Sequence, residues 1–148
     1  RQAIVALEQK WTEKNIDFDV ELDKVTYSGY ESLLLHVWSN LIDNAIKYGY
    51  PNSTIQVLVN SNRENVTVQV VNSGEGIDEK EIPKLFIPFY RRKDKTGPRE
   101  EGSSGLGLGI VKQLVEQHGG RIDITSRPKG LTVVTVILPT ARAREGQL

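Results

Sequence analysis

Several short runs of this chain place apolar side chains at every second position, and that period of two commits its framework to β-sheet. Ile16, Phe18, Val20 and Leu22 alternate with Asp17, Asp19 and Glu21. Ile55, Val57 and Val59 make a second run and Val66, Val68 and Val70 a third, with the polar turn 60–65 between them, which reads as a hairpin. Ile122 and Ile124, then Val134, Val136 and Leu138, form a last strand pair around a turn at 128–130. Helical spacing fills the intervals. Ile4, Leu7 and Trp11 predict a short amphipathic helix over 1–15. Leu34, Val37, Leu41, Ala45 and Tyr48 form one stripe of a longer helix over 30–48, stopped by Gly49 and Pro51. A short helix capped by Asp78 is expected over 78–86, and another over 110–118 that closes on Gly119 and Gly120. With about five strands and three main helices, the pattern predicts an α/β two-layer sandwich. Its sheet should be mixed and largely antiparallel, with the helices on one face.

The chain has 148 residues, 38% of them hydrophobic, a length that suits one domain spanning 1–148. The tail beyond about 140 is polar and expected to fray. There are no cysteines, which excludes disulfide scaffolds, thiolate zinc sites and cysteine nucleophiles. Its 19 basic and 19 acidic side chains cancel, against the basic excess of a nucleic-acid-binding surface. No apolar run approaches the ~20 residues that span a bilayer, and no signal peptide opens the chain. Methionine is absent and Arg1 comes first, so the chain is expected to be a piece of something longer.

Three polar clusters stand out against this framework. Asn40 and Asn44 lie one turn apart on the long helix, and Lys47 and Tyr48 continue the same edge. A single asparagine there would simply face solvent. Two of them followed by Lys and Tyr fit a polar ligand with charge and a flat ring. An asparagine carbonyl can coordinate a hard cation such as magnesium, and a lysine can meet phosphate. The second cluster is Asn72-Ser73-Gly74-Glu75-Gly76-Ile77 at a strand end, which alone reads as a turn. The Asn72 amide can nevertheless accept from adenine N6–H and donate to N1, related to the asparagine–adenine pairing used in DNA readout. The third is Gly102-Ser103-Ser104-Gly105-Leu106-Gly107-Leu108-Gly109-Ile110, a glycine-rich run entering a helix, where free N–H groups can hold phosphate. It matches neither the P-loop nor the Rossmann spacing. Between the second and third clusters, Phe86 and Phe89 are either core or anchors for a hinge, with Arg91 or Arg92 in reach of phosphate. The segment 91–104 carries five basic and three acidic residues without period and is expected to be a mobile loop.

In order and spacing these blocks resemble the sensor histidine kinases of the GHKL superfamily. Asn40-Leu41-Ile42-Asp43-Asn44-Ala45-Ile46-Lys47-Tyr48 is similar to their N box, and Asn72-Ser73-Gly74-Glu75-Gly76-Ile77 to their G1 box. Phe86-Ile87-Pro88-Phe89-Tyr90-Arg91 resembles the F box, and Ser104-Gly105-Leu106-Gly107-Leu108 the G2 box. The resemblance implies the Bergerat ATP-binding fold, with ATP under a flexible lid. It makes Asn44 the magnesium ligand, sends Asn40 and Lys47 to phosphates and lays Tyr48 against adenine. Asn72, Gly74, Gly76, Ile77, Phe89 and Arg91 join the ATP site, and the backbone from Ser104 through Gly105, Leu106, Gly107 and Leu108 wraps the phosphates. One position departs from the pattern. The G1 box usually opens with Asp, and here Asn72 keeps the acceptor oxygen without the charge.

The implied activity is that of a protein-histidine kinase catalytic domain, which binds Mg-ATP and passes the γ-phosphoryl to a histidine in two-component signalling. Related ATPases carry a Glu one turn before the magnesium-binding Asn, where this chain has the amide of Asn40, which cannot act as a base. A nucleotide-binding pseudokinase or interaction module is the other reading, and a GHKL-type ATPase the third. No residue has an assigned acid–base role. Neither His36 nor His118 has the context of a phosphoacceptor, so the resemblance implies an acceptor on a separate dimerisation domain absent from this chain. The response regulator is then an indirect partner, nucleic acid and direct membrane contact are not expected, and the chain is a cytoplasmic domain of a membrane-bound sensor.

Overall fold

The structure, a computed structural model, describes residues 2–22, 31–87 and 107–140. The candidate residues Phe89, Arg91, Ser104, Gly105 and Leu106, the loop 91–104 and the tail beyond 140 lie outside the described residues. In chain order the elements are α1 (Gln2–Ala6), α2 (Glu8–Glu13), β1 (Asp17–Leu22), α3 (Glu31–Tyr48), β2 (Thr54–Ser61) and β3 (Asn65–Ser73). A 3-10 turn (Ile82–Phe86), α4 (Gly107–Gln117), β4 (Arg121–Ser126) and β5 (Leu131–Pro139) follow.

All five strands join one sheet in the order β1-β2-β3-β5-β4. The β2–β3 and β4–β5 pairs are hairpins, and β5 also lies antiparallel beside β3 along its whole length, from Asn65↔Pro139 to Ser73↔Leu131. Only β1 and β2 run parallel, with Phe18 opposite Ile55 and Val20 opposite Val57. A parallel pair requires a long crossover, and α3 lies within it. The expected mixed, largely antiparallel sheet is therefore present.

One face of the sheet carries the core. Ile55, Val57, Val66, Val68, Val70, Val136 and Leu138 cluster with Val37, Leu41 and Ala45 of α3 and Val111 and Val115 of α4. Val37, Ile55, Val111, Val115 and Val136 have no exposed surface at all. Burying side chains of this size contributes about 1.5–3 kcal/mol each, which is why the helical layer docks where it does.

Three local expectations need correction. The first helix is two helices, because the Ile4 carbonyl accepts both the Leu7 N–H (3.2 Å) and the Trp11 indole N–H (2.9 Å) and is lost to a continuous ladder. The helix expected over 78–86 is only the 3-10 turn at its end. Asp78 turns its carboxylate to the Lys80 N–H (2.9 Å) instead of capping a helix, and Pro83 has no N–H to add to an α-ladder. Finally, α4 starts at Gly107 rather than Ile110, so the last glycines of the glycine-rich run are helical. Glycine in a helix costs about 1 kcal/mol, offset here by Val111 burying fully and Leu108 packing on the core.

Candidate functional site

Helix α3 turns Leu34, Val37, Leu41, Ile42, Ala45 and Ile46 into the core. That leaves Asn40, Asn44, Lys47 and Tyr48 half-buried along its polar edge. Asn40 donates its amide N–H to the His36 carbonyl at 2.8 Å, which leaves its carbonyl oxygen directed at α4. A Cβ at Gly107 would stand 2.8 Å from that oxygen, so a larger residue there would require the Asn40 side chain to shift. Leu108, the next residue, is half-buried against the core. One turn along α3, the Asn44 amide has no hydrogen-bond partner among the described residues.

Lys47 is held by a neighbour. Its ammonium lies 3.4 Å from Asp43 Oδ2, and the other oxygen of Asp43 takes Lys10 of α2 at 3.0 Å. Asp43 thus links the segment before β1 to the polar edge of α3. Sequence reading did not single it out, since an Asp at i, i−4 from a Lys is an ordinary surface pair.

The second cluster closes against the end of α3. Gly49 and Gly74 form an isolated antiparallel bridge, and a Cβ at Gly74 would fall 2.3 Å from the Tyr48 carbonyl. Asn72 is on the face of β3 that also carries Val66, Val68 and Val70, and only 6% of it is exposed. Its side-chain nitrogen lies 3.4 Å from where a Cβ of Gly74 would be and 3.6 Å from one of Gly49. Among the described residues nothing hydrogen bonds to this amide. A buried amide without a partner carries a desolvation cost of about 1–3 kcal/mol, so its place in the fold calls for an explanation.

The loop after Asn72 is pinned from the far side by the β4–β5 turn. The Gly74 N–H donates to the Gly130 carbonyl at 3.1 Å, and the Lys129 N–H to the Glu75 carbonyl at 2.8 Å. The Ile77 N–H donates to the Ser126 hydroxyl at 2.9 Å, itself 2.6 Å from the Thr132 hydroxyl. Gly76 adopts φ +82°, and a Cβ there would meet the Arg127 carbonyl at 2.3 Å. Tyr50 completes the frame, donating its hydroxyl to Glu75 at 3.2 Å. Loss of water around the phenol, then that hydrogen bond and the Glu75 charge, hold its pKa above the ordinary 10.0. Ser126, Thr132 and Tyr50 were invisible as site residues, because their partners lie far along the chain.

Phe86 lies under the Lys112 ammonium at 5.3 Å, which ties the 3-10 turn to α4. His118 is buried, with Nδ1 2.8 Å from the Leu114 carbonyl at the end of α4, and His36 is exposed.

The sequence-predicted residues Asn40, Asn44, Lys47, Tyr48, Asn72, Gly74, Gly76, Ile77, Gly107 and Leu108 thus fall on three connected pieces. These are the polar edge of α3, the clamped loop after β3 and the start of α4. No cluster of three His, Asp or Glu side chains suited to a metal exists among the described residues. Here a hard cation would have a single asparagine oxygen, and its remaining positions would fall to phosphate and water, as is usual for magnesium.

Comparison with known proteins converges on one family. Residues 29–142 match the family described as Histidine kinase-, DNA gyrase B-, and HSP90-like ATPase. The heme sensor protein HssS of Staphylococcus haemolyticus is 40% identical over 119 residues, which make up 80% of this chain and 25% of HssS. The signal transduction histidine-protein kinase BaeS of Escherichia coli is 30% identical over 138 residues, 93% of this chain and 29% of BaeS. The chain therefore spans only about a quarter of the length of these relatives. Among solved structures, the nucleotide-free catalytic domain of the histidine kinase ThkA superposes with a TM-score of 0.80 at 30% identity, over 95% of this chain and 90% of that one. The mycobacterial sensor histidine kinase MprB gives a TM-score of 0.76 at 29% identity, over 94% of each chain. The chain belongs to the Histidine kinase-, DNA gyrase B-, and HSP90-like ATPase family, as a catalytic domain of the sensor histidine kinase kind.

Proposed function

We propose that this chain binds Mg-ATP between α3, the loop after β3 and the start of α4, and donates the γ-phosphoryl to a histidine on a separate dimerisation domain. The observation that carries this reading is the buried, unpartnered amide of Asn72 beside the end of the helix that bears Asn44. Asn72 reads the edge of the adenine, with Gly74, Gly76 and Ile77 allowing the ring close to the backbone, while Tyr48 lies against its face. Asn44 offers its free carbonyl oxygen to magnesium, and Asn40 and Lys47 meet phosphate. Magnesium, when bound, neutralises charge on the phosphates as the phosphoryl group leaves. Lys47 must exchange its contact with Asp43 for phosphate, which a half-buried pair 3.4 Å apart permits at low cost. Gly107 and Leu108 supply free N–H groups at the start of α4, and Phe89, Arg91, Ser104, Gly105 and Leu106 complete the site from outside the described residues.

Hydrolysis as the main activity is disfavoured by Asn40, whose amide has no basic site and already donates to the His36 carbonyl. Neither histidine suits the acceptor role: His118 is buried at the end of α4, and His36, exposed on α3, is followed by Val37 rather than the acidic residue of the family's phosphoacceptor. The phosphoryl group therefore passes to a partner, the dimerisation domain of the full-length protein, and onward to a response regulator. The whole protein is a sensor kinase of the membrane, and this piece, folding as one domain over 1–148, is its cytoplasmic catalytic part. Among the described residues no helix is long and apolar enough to cross a membrane.

Calorimetric titration with ATP, with and without magnesium, tests the reading. Wild type should bind with magnesium dependence that Asn44→Ala abolishes; identical affinities in all four titrations would remove the site. Binding without transfer to a supplied histidine-bearing hairpin would favour the pseudokinase or nucleotide-gated interaction module, the reading the missing charge at Asn72 supports.

A further inference from the structure

We infer that the base pocket accepts 6-oxopurine nucleotides as well as adenine nucleotides, with Asn72 as the residue that permits both. The inference rests on the nucleotide site proposed above and concerns its substrate range.

An asparagine side chain ends in one acceptor and one two-hydrogen donor, whereas a carboxylate only accepts. Adenine presents a donor at N6 and an acceptor at N1. Hypoxanthine and guanine present the reverse, an acceptor at O6 and a donor at N1. An amide turned one way satisfies the first pair, and the same amide turned by half a rotation about its last torsion satisfies the second. That torsion is broad and nearly two-fold. What normally decides between the two orientations is a hydrogen bond from the protein, which commits one end of the amide. At Asn72 there is no such bond among the described residues, although the residue is 94% buried, 6% being exposed. Gly49 and Gly74 flank the amide with no side chain on either of them, at positions whose Cβ would stand 3.6 and 3.4 Å from its nitrogen. The tight frame around it is backbone: the Gly49–Gly74 bridge and the clamp from Gly130 and Lys129 hold the strand end, not the amide. Asn72 is thus held through its backbone, and no described group commits its amide to one facing. A carboxylate at this position would accept from one donor of either base and oppose one acceptor of each, N1 of adenine or O6 of hypoxanthine.

The experiment uses the 148-residue chain and measures affinities for ADP and inosine diphosphate, each with magnesium, by calorimetry. Wild type should bind the two within about tenfold, the discrimination a single well-made base contact is able to impose. Purine riboside diphosphate, with hydrogen at position 6, should bind more weakly than either. Asn72→Asp, which opposes an acceptor of either base, should weaken both diphosphates by about tenfold or more. A wild-type preference for ADP beyond about tenfold overturns the inference while leaving the nucleotide site standing. An Asn72→Asp chain that folds and binds both diphosphates as tightly as wild type overturns it as well, since another group then reads the base. If neither diphosphate binds wild type, the nucleotide reading fails and takes the inference with it. Should Asn72→Asp not fold, the three wild-type titrations decide the matter alone.

Discussion

Lys14 hydrogen bonds to the carbonyl of Gly49, 35 residues away, at 3.0 Å, and the same ammonium reaches the carbonyls of Ile46 at 2.7 Å and Lys47 at 2.9 Å. These are carbonyls at the end of α3, where a helix leaves its acceptors unpaired and its dipole negative. A residue from α2's end therefore caps the helix that carries the candidate site. Lys14→Met keeps the apolar stem and removes the donors. It should lower stability by about 2–3 kcal/mol in chemical denaturation, with Lys14→Arg recovering part of the loss. A Met variant as stable as wild type would show that water caps this helix equally well.

Asn44 has the opposite character, a side-chain amide with no hydrogen-bond partner among the described residues. Alanine is the better helix former by about 0.5–0.7 kcal/mol, so Asn44→Ala should raise the melting temperature of the nucleotide-free chain slightly. The same substitution should cost about tenfold or more in magnesium-dependent ATP affinity, about 1.4 kcal/mol. Gain of stability together with loss of binding identifies a group kept for a ligand; a loss of both would point to a structural role.

Gly76 and Gly119 both have positive φ, +82° and +78°, but their surroundings differ. A Cβ at Gly76 would strike the Arg127 carbonyl at 2.3 Å, whereas at Gly119 the nearest atom is Pro139 Cγ at 3.3 Å. Gly119→Ala should therefore cost about 1–2 kcal/mol of backbone strain alone. Gly76→Ala should cost more, about 2–4 kcal/mol, because the loop must also pull away from the β4–β5 turn. Urea denaturation of the two variants checks the order; equal costs would mean that the clamp yields freely.

Ser126 accepts from the Ile77 N–H, and Ile77 is only 8% exposed. Ser126→Ala leaves that N–H buried without its partner, a loss of about 1–3 kcal/mol. Hydrogen exchange at the Ile77 amide should accelerate in the variant. Unchanged protection would mean that another acceptor replaces the hydroxyl.

Tyr50 makes the loop sensitive to alkaline pH. Its partial removal from water, its hydrogen bond to Glu75 and the charge of that group all keep the phenol protonated above the ordinary 10.0. The folded chain then retains a proton that the unfolded chain releases, so this contact's stabilisation is complete below pH 10.0 and is lost as pH rises through the folded-state pKa. Glu75→Gln removes the charge and leaves an acceptor. Phenolate absorbance, with Tyr50→Phe as reference, should show the Tyr50 titration moving down toward 10.0 in that variant. A titration that stays in place would mean that the Glu75 charge does not reach the phenol.

The sheet and the helices were legible along the chain because their signals are local. Alternation at Val66, Val68 and Val70 and the stripe through Val37, Leu41 and Ala45 name the buried faces directly, and both lie in the observed core. The three polar clusters stood out for a different reason: asparagines in a helix and glycines beside them have poor local rationales. What the chain alone could not supply was every relation across distance. The parallel pairing of β1 with β2, the capture of α3 by Lys14 and the burial of Asn72 beneath Gly49 and Gly74 join residues with no periodic relation to one another. Propensity and spacing act within a turn or a strand. Which amide ends up buried, and which lysine reaches a helix end, is decided only when the sheet closes beneath α3 and brings distant segments together.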